Sequence, residues 1–192
     1  MRKILIIVAF ISIIISSCDV LDQLGEVNRF AQCDFSIKDV QIIKLGNIDV
    51  SKYKSAGDFG FTEMLLLGQQ LLTNELPAVL SVNINAVNNQ SSKAAISGLQ
   101  WQLFMKNEQY GGGKLNQYVE VLPGQSTSFP VNAEFDLLKL LTSENLQSII
   151  DLVMDMENKE KLEKLDIMLK VKPYYKAGDN IKEYPGYLTI RP

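Results

Sequence analysis

The sequence predicts a mainly β protein: a β-sandwich with two accessory helices, preceded by a signal peptide. Apolar and polar residues alternate in seven or so short runs, turn-forming residues separate the runs, and an apolar segment opens the chain. Short alternating strands with turns between them are typical of antiparallel sheets packed in two layers. We expect a signal peptide over 1–17, a tether or short helix over 18–32, and one domain over 33–192.

The N-terminal segment has the layout of a secretory signal. Arg2 and Lys3 precede an apolar run over 4–15, and two small residues then lead into Cys18. The run is too short to span a bilayer, which takes about 20 apolar residues in a helix. The segment therefore predicts export.

The segment over 15–18 resembles the lipobox of bacterial lipoprotein signal peptides, with Ile15 where leucine is usual. The resemblance implies that Cys18 is acylated, becomes the mature N-terminus and holds the protein to a membrane of the cell envelope. We expect the outer membrane, with either face possible. Asp19 follows the cysteine directly. An Asp at this position keeps lipoproteins in the inner membrane of some bacteria, so the inner membrane is the alternative location. An ordinary secretory signal with an incidental cysteine is the alternative.

Charge argues against nucleic acid as a partner. Two of the 19 Lys and Arg residues lie in the signal segment, so 17 basic residues remain against 22 acidic ones, a formal charge of −5. A negative chain without a basic stripe has no general attraction for phosphate backbones.

Composition also argues against catalysis. The chain has no histidine, which excludes Ser-His-Asp and Cys-His mechanisms and removes the commonest zinc ligand. The run Gly111–Lys114 lacks the spacing of a phosphate-binding loop, because Glu108 and Leu115 occupy positions that need Gly and Ser or Thr. We interpret its glycines as a flexible hairpin turn. We expect no enzyme, no cofactor and no metal.

Several acidic residues lie in predicted loops and are interpreted as solvated surface carboxylates, with acid-base chemistry by a pair of them, as in a hydrolase, as the alternative. An oxygen-ligand calcium site around Asp179 and Asn180 lacks the spacing of an EF-hand loop. The loop carboxylates are Asp49, Asp58, Glu63 and Asp179.

The first elements of the domain are a long strand and a helix. The strand begins at Cys33, and its alternation changes phase near Lys38 and Asp39, which predicts a β-bulge. A helix follows over 61–76, and Pro77 is expected to stop it. Cys33 lies in the alternating run and is predicted to be buried, with an intermolecular disulfide as the alternative.

Further strands and helices follow in order. Period-two alternation predicts the strands and places Trp101 on a core-facing side. Apolar residues at helical spacing predict the helices, and Ser143 is a possible N-cap of the second one. Tyr174, Tyr175, Tyr184 and Tyr187 offer either packing or an interaction surface, and packing is favoured. The predicted strands are 80–86, 99–105, 118–122, 129–135, 165–171 and 187–190, and the helices are 136–141 and 145–156.

The stretch over 78–141 resembles the late embryogenesis abundant group 2 family, also called the water stress and hypersensitive response (WHy) domain. The likeness lies in the strand over 80–88, the step over 95–99 into the next strand, the Gly-rich turn over 111–113, and the segment over 121–131. Asn89 stands where the family usually has proline. The resemblance implies a fibronectin-like β-sandwich without a catalytic centre.

Two functions fit these expectations. One is a non-catalytic, membrane-anchored envelope lipoprotein that interacts with or stabilises an envelope protein through loops, an exposed apolar patch or a sheet edge. The alternative is a binder of small apolar ligands, with a pocket between the accessory helices and the sheet. The run Leu65–Leu67 and the pair Ile149–Ile150 carry more apolar surface than one helical stripe needs, which motivates the pocket.

Overall fold

The computed structural model describes residues 22–140, 146–156, 160, 164–177 and 180–192. The signal segment, Cys18, Asp19, Ser143 and Asp179 lie outside the described residues, as does most of the charged stretch over 157–163. Within the described part the protein is mainly β, as the sequence predicts, and every strand pairing is antiparallel.

The helices and strands have the following bounds. The helices are α1 over 22–31, α2 (Phe61–Leu71) and α3 (Leu146–Asp155), with 3-10 turns at Ala56–Asp58 and Leu137–Leu140. The strands are β1 (Asp34–Leu45), β2 (Ile48–Asp49), β3 (Pro77–Val87), β4 (Ala94–Ile96), β5 (Gly98–Met105), β6 (Glu108–Leu115), β7 (Val119–Val121), β8 (Ser126–Asp136), β9 (Met168–Ala177), β10 (Asn180–Glu183) and β11 (Leu188–Ile190).

The described strands form three sheets. One has the order β2-β1-β3-β8; a second has the order β10-β9-β5-β6, with β11 also paired to β9; and β4 pairs with β7. The predicted bulge in β1 is confirmed, because the β1–β3 register shifts between Ile37 and Asp39, and it shifts again between Ile42 and Lys44. Each shift returns the apolar side chains of this long strand to the buried face.

The core follows from period-two alternation in both large sheets. In β3, Leu80, Val82 and Ile84 are fully buried while the residues between them are partly exposed. In β5, Leu99, Trp101 and Leu103 are buried in the same alternating way. These side chains belong to one hydrophobic cluster, which α1 also enters through Val27 and Phe30. Both large sheets therefore contribute to a single core.

The helix α2 is shorter than predicted. It ends at Leu71, and Asn74 has a left-handed φ of 55°, so the helix stops before Pro77 is reached. Pro77 is instead the first residue of β3, a position at which proline is tolerated. Asparagine adopts the left-handed conformation more readily than most residues, which explains the earlier end.

The interpretation of Gly111–Gly113 as a hairpin turn is wrong. The hairpin between β5 and β6 turns at Lys106 and Asn107, which both have positive φ, of 48° and 66°. The glycines lie inside β6, opposite residues 101–103. A Cβ on Gly113 would lie 2.8 Å from the Trp101 ring. The glycines therefore make room for an indole, which the sequence pattern did not reveal.

The C-terminal strands also differ from the prediction. The strand predicted over 165–171 begins at Met168 and continues to Ala177, and the sequence pattern missed β10, which pairs with its second half. In β10 all four residues are exposed, so no alternation of polarity marks it. The last strand, β11, agrees with the prediction over 187–190.

Candidate functional site

The four-stranded sheet has two ends that differ in what covers them. At one end Asp34 pairs with Val87, and at the other Leu45 pairs with Ala78. With a rise of about 3.3 Å per residue, these ends are about 30 Å apart. We call the first the α1 end and the second the α2 end, after the helix that lies beside each.

The helix α1 is fixed to its end by packing and hydrogen bonds. The Phe30 ring lies 5.3 Å from that of Phe35 and 6.3 Å from that of Phe129. Arg29 Nε donates to the Lys93 carbonyl at 2.6 Å, and Gln90 Nε2 donates to the Arg29 carbonyl at 2.8 Å. Of the two possibilities predicted for 18–32, a helix is present over 22–31.

Lys93, beside α1, is a paired cation. Its Nζ lies 3.0 Å from Glu26 and 3.4 Å from Glu120. The hydrogen bond with Glu26 raises the pKa of Lys93 above its usual range, so the ammonium stays charged. Two carboxylates already surround this charge, and Tyr118 Oη donates to Glu120 at 2.9 Å. The cluster therefore ties α1 to β7 and is poorly suited to binding an anion.

The loop after β3 is held by a buried polar side chain. Asn88 Nδ2 donates to the carbonyls of Ser92 and Val121, both at 2.9 Å, and its Oδ1 accepts from the Gln90 backbone N–H at 3.1 Å. Asn88 is fully buried, and these partners satisfy its amide. Its role is structural, because it joins the turn over 88–92 to β7.

The α2 end carries exposed apolar surface. Phe61 is 85% exposed, Leu65 53% and Leu72 84%, and together with Gly68 they form what we call the α2 stripe. Phe61, Leu65 and Gly68 lie along one side of the helix at intervals of four and three residues. Leu72, the C-cap residue, follows four residues later and continues that side because its backbone is still αR. Leu67, on another side, is fully buried. The excess of apolar surface predicted around residue 65 is thus present, and much of it faces solvent.

The space beneath the helices is occupied by side chains. Buried there are Leu67, Leu76, Ile149, Ile150, Val153 and Met156. A cleft of about 440 Å³ lies beside β1, with Ile42 and Met154 as well as Gln41, Lys52 and Lys54 in its lining. Two lysines and an amide in the wall make this cleft a poor match for an apolar ligand.

Three of the carboxylates singled out in the sequence, Asp49, Asp58 and Glu63, lie near Tyr53, and burial followed by their charges raises the pKa of Tyr53. Asp49 accepts hydrogen bonds from the Ser51 hydroxyl and backbone, and Asp58 accepts from the backbone N–H groups of Lys54 and Ser55. These bonds lower the pKa of both carboxyls. Asp49, the last residue of β2, stabilises the turn that follows the strand, and Asp58 stabilises the start of the 3-10 turn in which it lies. Among the described residues, no group of three or more Asp, Glu or Cys side chains could hold a metal ion.

The aromatic residues divide between core and surface. Trp101, Tyr174 and Tyr175 are buried, as packing requires, while Tyr187 is exposed. The Tyr174 hydroxyl donates to Asn116, which satisfies its buried polar tip. Packing is therefore confirmed for the first three and does not describe Tyr187.

Cys33 is buried, as predicted. Its Sγ donates weakly to the Arg29 carbonyl at 3.6 Å. Burial, followed by the nearby charge of Asp34, raises the pKa of the thiol from 9.0 to about 11. Thiolate is the reactive form, so the folded protein should protect this cysteine from alkylation.

We expect Cys33 to react with iodoacetamide at pH 8 about 100-fold more slowly in the folded protein than in urea, because a pKa raised by two units lowers the thiolate fraction by that factor. Mass spectrometry of the Cys33 peptide over time measures both rates. Equal rates in the two states would show that the thiol is accessible and free to form an intermolecular disulfide.

Comparisons with known proteins assign no family. No family model matches the chain, and no curated protein matches it. A crystal structure of a protein from Archaeoglobus fulgidus is 14% identical, with 59% of this chain and 80% of that chain covered and a TM-score of 0.33. A structure described as ApaA from Bordetella pertussis is 11% identical (83% and 94% covered, TM-score 0.32). The solution structure of AT1g01470 from Arabidopsis thaliana is 11% identical (82% and 78% covered, TM-score 0.28). Likeness at this level assigns no function.

The search for membrane-spanning helices gave a negative result for the described residues. None of the helices there combines the length and the apolar character that a bilayer crossing requires.

Proposed function

We propose that this protein is a non-catalytic bacterial envelope lipoprotein, anchored through lipid on Cys18, whose domain acts as an interaction or stabilising module for an envelope protein. The observation that carries the proposal is the position of the α2 stripe at the end of the sheet opposite α1. Exposed apolar side chains gathered on one helix are typical of protein contact surfaces.

The anchor would orient the domain. Asp22, the first described residue of α1, is four positions after Cys18, and even a fully extended chain of that length reaches only about 14 Å. A lipid on Cys18 would therefore keep the α1 end close to the membrane. The α2 end, about 30 Å farther along the sheet, would face away from it. The α2 stripe would then meet other proteins rather than lipid.

The fold suits such a module. We propose that the two large sheets form an immunoglobulin- or fibronectin-like β-sandwich of the WHy type, with the accessory helices at one end. The shared hydrophobic cluster and the alternation in β3 and β5 support this arrangement. A rigid scaffold of this kind positions helices and loops for contact with a partner.

The second candidate, a binder of small apolar ligands, has weaker support. The buried leucine and isoleucine side chains fill much of the space where its pocket was expected, and the cleft beside β1 has lysines in its wall. The exposure of Phe61 and Leu72 instead favours the interaction module.

The anchor is tested by the intact mass of the protein extracted from the membranes of its native host. The proposal predicts a mass that lacks residues 1–17 and includes a diacyl or triacyl lipid. Fragmentation should place the added mass on the N-terminal cysteine. A cleaved protein of unmodified mass, recovered from the soluble fraction, would reject the anchor and leave the ligand of a free domain as the question.

A further inference from the structure

We propose that the α2 stripe is the contact between two copies of this chain, which pair their α2 helices antiparallel about a twofold axis between Leu65 and Gly68. This inference rests on the proposed function, since it names the partner of the interaction module. It extends that function by assigning the interface, its residues and its symmetry.

The spacing of the α2 stripe is the first argument. Phe61, Leu65, Gly68 and Leu72 follow one another at intervals of four, three and four residues. This is the seam of a coiled coil, in which side chains of one helix enter spaces on the other. The intervals also read the same in both directions. An antiparallel copy therefore places Phe61 against the second copy's Leu72, and Leu65 against its Gly68.

Side-chain sizes match in that arrangement. A Cβ added to Gly68 would meet no atom within 4 Å, so the surface is open at this position. The Leu65 side chain is half exposed and is the nearest large group on the stripe. About a twofold axis, the Leu65 side chain of each copy would fill the space over Gly68 of the other copy, which gives two equivalent contacts. Such self-complementarity is what an isologous interface requires.

Charge favours a second copy of this chain, rather than a membrane or a charged partner, as what binds the α2 stripe. Glu63 is the one charged residue within α2, and it lies on another side of the helix, with its carboxylate close to Gly60. Helices that lie on membranes carry Lys and Arg along their polar face, and α2 has none. Two copies of a chain with net negative charge repel each other, and an uncharged seam avoids adding to that repulsion.

The expected association is weak. One helix seam of this length covers a few hundred Å² per copy, below the roughly 800 Å² per partner of a standard stable interface. Lipid anchors that confine the copies to one membrane raise their effective concentration and favour the contact. The pairing should therefore be measured in membranes with the full chain.

The test uses two copies that carry different tags, one with Phe61→Cys and the other with Leu72→Cys, expressed together and oxidised in isolated membranes. The proposed pairing brings these positions together. We expect about tenfold more disulfide-linked heterodimer than either variant gives alone, because two copies of position 61 lie about 16 Å apart along the paired helices, beyond the reach of a disulfide. The wild-type chain controls for Cys33, which is buried.

A matched pair of surface variants checks the seam. Leu65→Glu in both copies should abolish the heterodimer band. Leu66→Glu should preserve it, since Leu66 is similarly exposed, at 42%, but lies off the stripe. Both substitutions are on the surface, and circular dichroism should show that both variants fold.

The outcomes separate this inference from the anchor. Equal crosslinking of the single variants would reject the antiparallel pairing, and so would a link from residue 61 to a different protein. No crosslink between copies that are retained in the membrane and carry lipid by mass would reject the dimer while leaving the anchored module intact. Copies without lipid would reject the anchor itself.

Discussion

Replacing Cys18 by alanine is expected to abolish fatty-acid attachment completely. The thiol of this residue is the acyl acceptor in the proposed lipoprotein, and alanine offers no nucleophile in its place. Each buried CH₂ group of an acyl chain contributes about 0.8 kcal/mol to membrane binding, and stable anchoring takes more than one chain. Loss of the acceptor therefore removes the whole anchor. Metabolic labelling with an alkyne fatty acid, followed by fluorescent detection on a gel, measures the effect.

The second cysteine provides the matched control. Cys33 lies in the core, and its Cys33→Ala variant should retain the label at the wild-type level because a buried thiol is not an acyl acceptor. Each of the two variants retains one cysteine, so they differ only in which cysteine remains. Label that persists in Cys18→Ala, or that disappears in Cys33→Ala, would place the lipid elsewhere and refute the lipobox resemblance.

The sequence predicted the fold best where one face of a strand is buried. In β3 and β8 the buried residues, all of them apolar, occupy every second position, because each strand has a core side and a solvent side. The sequence also located the bulge near Asp39, since a change of phase is visible in the pattern itself. It failed for β6, which has three glycines in succession and no fully buried residue, and for β10, in which all four residues are exposed.

The candidate site could be predicted only in part. The run over 65–67 shows that α2 has apolar residues on more than one side, and this is evident from the sequence. Which side is covered depends on how α3 packs against the helix, and that is decided by contacts distant in the chain. The spacing of Phe61, Leu65, Gly68 and Leu72 was nevertheless a usable signal, because a seam with a gap at glycine is a pattern of helix pairing.

The glycines of β6 illustrate how tertiary packing can reverse a local interpretation. Glycine is unfavourable inside a strand, and three in succession normally indicate a turn. Here the Trp101 ring lies against the backbone of Gly113 and within 3.9 Å of a Cβ added to Gly111. An indole buries more apolar area than any other side chain, so the gain from packing it exceeds the cost of glycine in β6.

Trp101→Ala is expected to reduce the free energy of unfolding by about 3–5 kcal/mol, the usual cost of removing a buried tryptophan. Gly113→Ala in the wild-type background should cost about 1–3 kcal/mol, because its Cβ would lie 2.8 Å from the ring. In the Trp101→Ala background the same substitution should be neutral or stabilising, since the indole that it would contact is gone and alanine is favoured over glycine in a strand.

Urea unfolding of the four proteins, each carrying Cys18→Ala to keep them free of lipid, measures the coupling between the two positions. Equal costs of Gly113→Ala in both backgrounds would show that the glycine does not serve the tryptophan, and that β6 keeps its glycines for another reason.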